Sequence, residues 1–292
     1  MMRKMISKFL CLVLIISVAL VNFNCSNKKE EKMLETKPIY ELFIDAKGCF
    51  YEILINDVPV YFHYNIGATA FRLPINSFIP KKGIQKISLR MISVAEGKPF
   101  PQGAEVTFNI DEYPQGFPRE RRTVFTYKTA PFEEKNKGIF ASEKEFYANV
   151  PYELVNWQNG IDLSKENKDK LKNELGKIYQ EYTDVFKNKD LSKYKELIEL
   201  RQENIFKSMY YTKEQKAQAE KSYIGGIQNE TVKLYPLENY QLVFYGNGKL
   251  VGLRKKDDAP GIFIDNENQK DAFIEYILFY RKTPGSPLKI IL

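Results

Sequence analysis

Three rhythms of apolar and polar residues follow one another along the chain. Phe9 to Val21 is almost unbroken apolar sequence, and from Pro38 to about Phe146 apolar and polar residues alternate with period two. From Ser164 a helical period takes over, and alternation returns in the last fifty residues. In the second stretch, Tyr40, Leu42 and Ile44 alternate with Glu41 and Asp45. Ile53-Leu54-Ile55 and Val58-Pro59-Val60-Tyr61-Phe62 flank Asn56-Asp57, a two-residue hairpin turn whose members both tolerate positive φ. Lys81-Lys82-Gly83 reads as the next turn, after which Ile87, Leu89 and Met91 face one way and Lys86, Ser88 and Arg90 the other. Val106, Phe108 and Ile110 repeat the alternation, and Val124 to Tyr127 adds a further strand. Such segments, separated by Gly, Pro and Asn turns with no helix among them, predict an antiparallel β-sandwich over residues 38–150.

Residues 151–163 form the expected junction. They hold Pro151, the Gln158-Asn159-Gly160 turn and Trp157, the only tryptophan of the chain. Trp157 could serve as a sugar platform or pack two domains together. Over residues 164–292 the elements are helices first and strands afterwards. Ser164 is placed to cap a helix in which Leu171, Leu175, Ile178, Tyr179, Tyr182, Val185 and Phe186 share a face, and Asn188-Lys189-Asp190 stops it. Tyr194, Leu197, Ile198, Arg201, Ile205 and Met209 mark a second helix. Thr212 and Gln215 suggest the capping box of a third, ending near Gly225-Gly226. Gly246-Asn247-Gly248 joins two strands in a hairpin, and Pro284-Gly285-Ser286 joins the last two. The fold class expected is therefore α+β in two domains: a sandwich, then helices packed on a curved antiparallel sheet.

Two resemblances refine this. "INDVPV", with "LPINSFIPKKGIQKISLRM" after it, is similar to the jelly-roll and immunoglobulin-like modules of extracytoplasmic bacterial proteins. The element order of Ser164 to Leu292 resembles the nuclear-transport-factor and ketosteroid-isomerase cone, which implies a sheet wrapped by helices around a pocket. No catalytic acid or oxyanion-binding residue of that family carries over.

The apolar run at the start follows Arg3, Lys4 and Lys8, is too short to span a bilayer as a helix, and has the proportions of a secretory signal. It ends in Asn22-Phe23-Asn24-Cys25, before the polar run Ser26 to Lys32. A cysteine so placed resembles the lipobox of bacterial lipoproteins, although Asn22 and Asn24 stand where that family carries an aliphatic and a small residue. The resemblance implies that residues 1–24 are removed and that Cys25 carries the lipid. Residues 25–37 then read as a flexible tether to an outer-membrane lipoprotein facing the periplasm or the cell surface. Lys28-Lys29-Glu30-Glu31 looks like a surface-export cluster, and a solvated spacer reads the same way.

Hydrophobic residues at 43% exclude a disordered chain. The net charge of +7 falls to +4 once Arg3, Lys4 and Lys8 leave with the signal, and both signs are mixed along what remains. Without a basic stripe, nucleic acid is not an expected partner. With Cys11 in the signal and Cys25 lipidated, Cys49 is left alone. It cannot form an intramolecular disulfide, and reads as a small buried residue or a reactive thiol.

Chemistry is sparse. One histidine, His63, excludes any site needing two imidazoles, and the chain has no HExxH, CxxC pair, P-loop, GxSxG or EF-hand loop. No metal or other cofactor is expected, while a carboxylate pair could form from residues distant in sequence. Arg119-Glu120-Arg121-Arg122 and Arg254-Lys255-Lys256-Asp257-Asp258 could receive an acidic partner or anionic glycans, or simply protect strand edges. The function expected is non-catalytic: a lipid-anchored envelope protein that binds a protein partner. In layout it resembles immunity lipoproteins, which occlude antibacterial effectors. The alternatives are a carbohydrate-binding or assembly lipoprotein, and an enzyme or small-molecule binder in the cone domain.

Overall fold

The computed structural model describes residues 37–95, 97–132, 138–229, 232–234, 240–255, 262–266 and 272–292. Cys25, with the signal and tether expected around it, lies outside the described residues, as do Lys256, Asp257 and Asp258. Pro38–Leu292 forms one compact unit. It is α+β, with three α-helices and several antiparallel sheets among the described residues.

The first eight strands are β1 (Pro38–Lys47), β2 (Cys49–Ile55), β3 (Val58–His63), β4 (Thr69–Pro74), β5 (Lys81–Ser93), β6 (Glu105–Pro114), β7 (Arg122–Lys128) and β8 (Ile139–Glu153). They form two antiparallel four-stranded sheets, ordered β4-β1-β6-β7 and β3-β2-β5-β8. One hydrophobic cluster draws on both, with Leu42 and Phe108 from the first and Ile53 and Leu89 from the second. Asn56 and Asp57 turn β2 into β3 at φ of 53° and 60°, as their residue types predict. The turn expected at Lys81-Lys82-Gly83 is instead the start of β5. Gly83, at φ 135°, absorbs a register shift against β8 and so keeps the strand running through a bulge. The edge strand β8 carries Lys144 opposite core-facing Ile87, with its ammonium 5.7 Å from the Tyr127 ring. A charge on the inner face discourages another chain from pairing there.

The helices are α1 (Lys168–Asn188), α2 (Leu191–Ser208) and α3 (Lys213–Asn229). Leu171, Leu175, Tyr179, Tyr182 and Val185 are buried on the predicted face of α1. The cap differs: Asn167 accepts from the Lys170 amide, while Ser164 sits in a preceding 3-10 turn capped by Asp162. Both residues are good caps, and the 3-10 turn decides between them. Lys189 ends α1 in the left-handed region at φ 55°. The Thr212–Gln215 capping box forms reciprocally, at 2.8 and 3.2 Å. The third helix runs through Gly225 and Gly226 to Asn229, because paired glycines weaken a helix without forcing its end.

The remaining strands are β9 (Val232–Leu234), β10 (Tyr240–Tyr245), β11 (Leu250–Lys255), β12 (Ile262–Asn266), β13 (Ala272–Glu275), β14 (Phe279–Tyr280) and β15 (Lys289–Ile290). They divide into two antiparallel sheets, β10-β11-β14-β15 and β13-β12-β9. A second hydrophobic cluster packs α1 and α2 on the first of these through Leu175, Tyr179, Ile198, Val251 and Phe279.

The core of the first eight strands gives way to this second core across residues 151–163, and a third cluster joins them. It contains Val58, Trp157, Leu250, Leu278, Tyr280 and Ile291. Trp157 is buried in it, so its ring packs protein against protein and offers no sugar platform. Two hairpin tips dock beside it: Asp57 accepts from the Gly246 amide through its carbonyl (2.9 Å) and from the Asn247 amide through its carboxylate (2.8 Å). A Cβ on Gly246 would stand 2.7 Å from the Trp157 ring, so only glycine fits there. Asn76 adds a polar link. It accepts from the Tyr40 amide and donates to the carbonyls of Pro38 and Ser208, tying β1 to the end of α2.

The outward face of β2 and β3 completes the junction. Glu52 and Arg254 are both buried, with each terminal guanidinium nitrogen 3.4 Å from Glu52 Oε1. Arg254 also donates to the Tyr64 hydroxyl at 2.6 Å and lies 5.0 Å over the Phe62 ring. Burial and the bond to Glu52 push the Tyr64 phenol well above its ordinary value, so it stays protonated and donates to that carboxylate. The Arg254 cluster was open to a solvated-edge reading, yet Arg254 itself sits inside the protein. Glu52→Gln should destabilise the protein by about 3 kcal/mol, because the guanidinium loses its buried anion. The double variant Glu52→Leu/Arg254→Met should lose less than Glu52→Gln alone, as read from urea unfolding midpoints.

Candidate functional site

The solvent-side face of the first sheet collects charge in an unusual way. Alternation sends Tyr40, Leu42 and Ile44 inward, so Glu41 and Phe43 point outward. Register places Glu41 opposite Asp111 of β6, and Phe43 between Arg72 of β4 and Asn109 of β6. Asp111 is nonetheless only 2% exposed, and Glu41 8%. What covers them is a pair of arginines.

Arg72 donates to both Asp111 and Glu41 (3.2 Å to the latter). Arg121, on the β6–β7 connection, donates to Glu41 at 2.8 Å, with its Nε 3.6 Å from Asp111. The Thr123 hydroxyl donates to the second Asp111 oxygen at 2.7 Å, and the Tyr113 hydroxyl to the second Glu41 oxygen at 3.3 Å. Every oxygen of the two carboxylates thus accepts a hydrogen bond. Each guanidinium lies over an aromatic ring, Arg72 at 4.5 Å from the Phe43 centroid and Arg121 at 5.1 Å from that of Tyr113. Burial works against the Arg72 charge, but the bonds to Asp111 and Glu41 outweigh it and raise the pKa further.

The charges cancel within this clamp, and its carboxylate oxygens are committed to structural donors. It presents guanidinium planes fixed over aromatic rings on the outward face of a sheet. Beside Phe43, the Oδ1 atom of Asn109 is buried with no hydrogen-bond partner among the described residues. Such an orphan acceptor costs free energy unless a donor reaches it.

Of the residues singled out from sequence, only Arg121 belongs to this face. Its partners Glu41, Asp111 and Arg72 lie on three different strands, and alternation flags them as outward without revealing that they converge. Arg122 pairs with Glu112 at 3.2 Å, and Arg119 is exposed. His63 ends β3 inside the protein, 5.3 Å from the Tyr51 ring, with Nε2 unpartnered among the described residues. Cys49 is buried, and burial pushes its thiol up to about 11, which leaves it the inert small residue rather than the reactive one. Among the described residues no group of three or more His, Cys, Asp or Glu side chains could hold a metal ion.

Two hollows offer less. One of about 550 Å³ lies at the start of α1, where Arg281 pairs with Glu166 (3.2 Å) and Glu174 (2.7 Å) and Lys170 balances the remaining negative charge of its lining. Another, of about 240 Å³, is lined mainly by apolar residues, including Val60 of β3, Ile205 of α2, Leu278 just before β14 and Ile291 just after β15. No protein-family model matches the chain, and neither a curated protein nor a solved structure matches it.

The single histidine gives a pH test. Burial lowers the His63 pKa from 6.5, partly opposed by a hydrogen bond with the Asn65 backbone. Below about 6.5 the unfolded chain takes up a proton that the folded one resists, so stability falls as pH drops through that window. Above it the group contributes no slope. Between pH 7.5 and 5.5 the wild type should lose more stability than His63→Phe, and equal losses in urea unfolding would contradict the assignment.

Proposed function

We propose that this protein is a non-catalytic, lipid-anchored envelope protein that binds another protein through the outward face of its first sheet. The observation that carries this reading is the clamp of Arg72 and Arg121 over Phe43 and Tyr113, held by the buried carboxylates of Glu41 and Asp111. Arginine and tyrosine are the residue types that dominate protein interfaces. Here they are fixed before any partner arrives, which lowers the ordering cost of association. Because the clamp is neutral, the partner need not be acidic.

In this reading the first two sheets are a β-sandwich and the helices with the later sheets a second, cone-like domain. Cys25 carries the lipid and places the protein in the envelope, facing the periplasm or the cell surface. Occlusion of an antibacterial effector, as by an immunity lipoprotein, suits a recognition face with no reactive group. A standard interface takes about 800 Å² from each partner.

Capture on the acylated protein extracted from membranes, with quantified stoichiometry, tests the binding. A protein partner should be retained in fixed ratio. Arg72→Lys keeps a charge beside Asp111 but removes the planar face, and should weaken binding about tenfold, roughly 1.4 kcal/mol. Affinity is read on protein shown to be folded, since the bonds lost at Glu41 and Asp111 cost stability as well. Retention of glycan alone favours the carbohydrate alternative, and unchanged affinity moves the binding face elsewhere. Intact mass spectrometry tests the anchor: a mature chain beginning at acylated Cys25 is expected, and an unmodified cysteine refutes it.

A further inference from the structure

The first two sheets end in four edge strands, β4 and β7 in one, β3 and β8 in the other. Three of these edges are guarded. β8 carries Lys144 on its inner face. β7 begins and ends with exposed Arg122 and Lys128, and its register against β6 shifts at Ile110/Asp111. β3 contains Pro59, shifts register against β2 at Ile53/Leu54, and packs Phe62 on Tyr276 at 5.5 Å. Charges, bulges, proline and covering elements are the means by which sheets avoid pairing with other chains. On β4 they are missing or withdrawn. Its one charge, Arg72, folds back across β1 onto Asp111 and Glu41, over the Phe43 ring and away from the free side. Its proline, Pro74, is the last residue of the strand.

The side of β4 that β1 leaves free can be assigned residue by residue. The Ile75 amide donates to the Tyr40 carbonyl at 2.9 Å, so alternation makes Leu42–Leu73, Ile44–Phe71 and Ala46–Thr69 the pairs that exchange hydrogen bonds. Ala70, Arg72 and Pro74 turn their backbone groups the other way. The edge therefore presents N–H and C=O of Ala70 and Arg72, and C=O of Pro74. All three residues are exposed, and among the described residues no strand pairs with that side. Phe71 and Leu73 are half-buried at the rim of the core. Ile66, in the connection leading into β4, is 86% exposed.

We propose that β4 is the strand to which the protein partner adds an extended segment of its own, continuing the first sheet past Arg72. The inference rests on the binding reading above and names its mode. The matching segment is free of proline over about five residues, roughly 17 Å, with apolar side chains at alternate positions that cover Phe71 and Leu73. Main-chain bonds to Ala70 and Arg72 hold it, and the alternating side chains select it. Arg72 belongs to both edge and clamp, so one partner engages the two together. Two copies of this chain paired through β4 would leave both clamps uncovered.

Ala70→Pro is the test. It removes an N–H that β1 does not use, and proline is tolerated on edge strands, so the unfolding midpoint should stay near that of the wild type. Ala70→Lys keeps the N–H, adds a charge at the edge, and serves if the proline variant unfolds. The first assay takes the acylated full chain with a synthetic peptide alternating threonine and valine. The peptide should slow hydrogen exchange at the Ala70 and Arg72 amides several-fold, and at Arg72 in Ala70→Pro it should have no effect. Slowing at another edge, or nowhere, overturns the strand addition. The second assay takes the partner retained on the membrane-extracted protein, and either variant should weaken its retention about tenfold. Unchanged retention overturns the edge and leaves the clamp intact, and a wild type that retains no partner overturns both. A dimer of the chain alone that Ala70→Pro dissociates gives the edge to a second copy and overturns the proposal as well.

Discussion

A guanidinium taken out of water needs an anion beside it, and Arg254 finds one in Glu52, 202 residues away in sequence. The two halves of the fold are committed to each other by that requirement. Glu52 lies on the outward face of the second sheet, a position that would face solvent if the strands stood alone. Arg254 is delivered by β11, and Phe62 and Tyr64 close over the pair. Around it the Asp57 turn docks on the Gly246–Gly248 turn, and Trp157 fills the space between. The junction therefore combines a desolvated ion pair with hydrogen-bonded hairpin tips and an apolar patch. Removal of one partner of such a pair is far more costly than removal of both.

The same chemistry appears with another outcome on the first sheet. Glu41 and Asp111 are covered there by Arg72 and Arg121 rather than by another part of the chain. The junction cluster is closed, while the clamp leaves guanidinium edges and aromatic rims at the surface. Among the described residues no element covers that face, and our proposal of a binding face is placed there rather than at the hollows near Arg281 or Ile205.

The local elements were legible in the order of residues. Alternation placed Tyr40, Leu42 and Ile44 on a buried face, Asn56-Asp57 and Gly246-Asn247-Gly248 specified their turns, and the Thr212–Gln215 box set the start of α3, because each depends on residues within a few positions of one another. Signals just as local went astray at Ser164, where a 3-10 turn moved the cap to Asn167, and at Lys81-Lys82-Gly83, where pairing with β8 carried the strand through. Which outward charges stay at the surface and which are buried depends on long-range packing. Arg121 and Arg122 are adjacent in an ordinary basic run, but one is locked to Glu41 and Asp111 and the other forms an exposed pair with Glu112. Arg254, in a run just as ordinary, is interior. The reason is physical: an ion pair is fixed by distance in space, and strand register and the docking of distant hairpins set that distance, whereas periodicity reports only which side of its own element a residue faces.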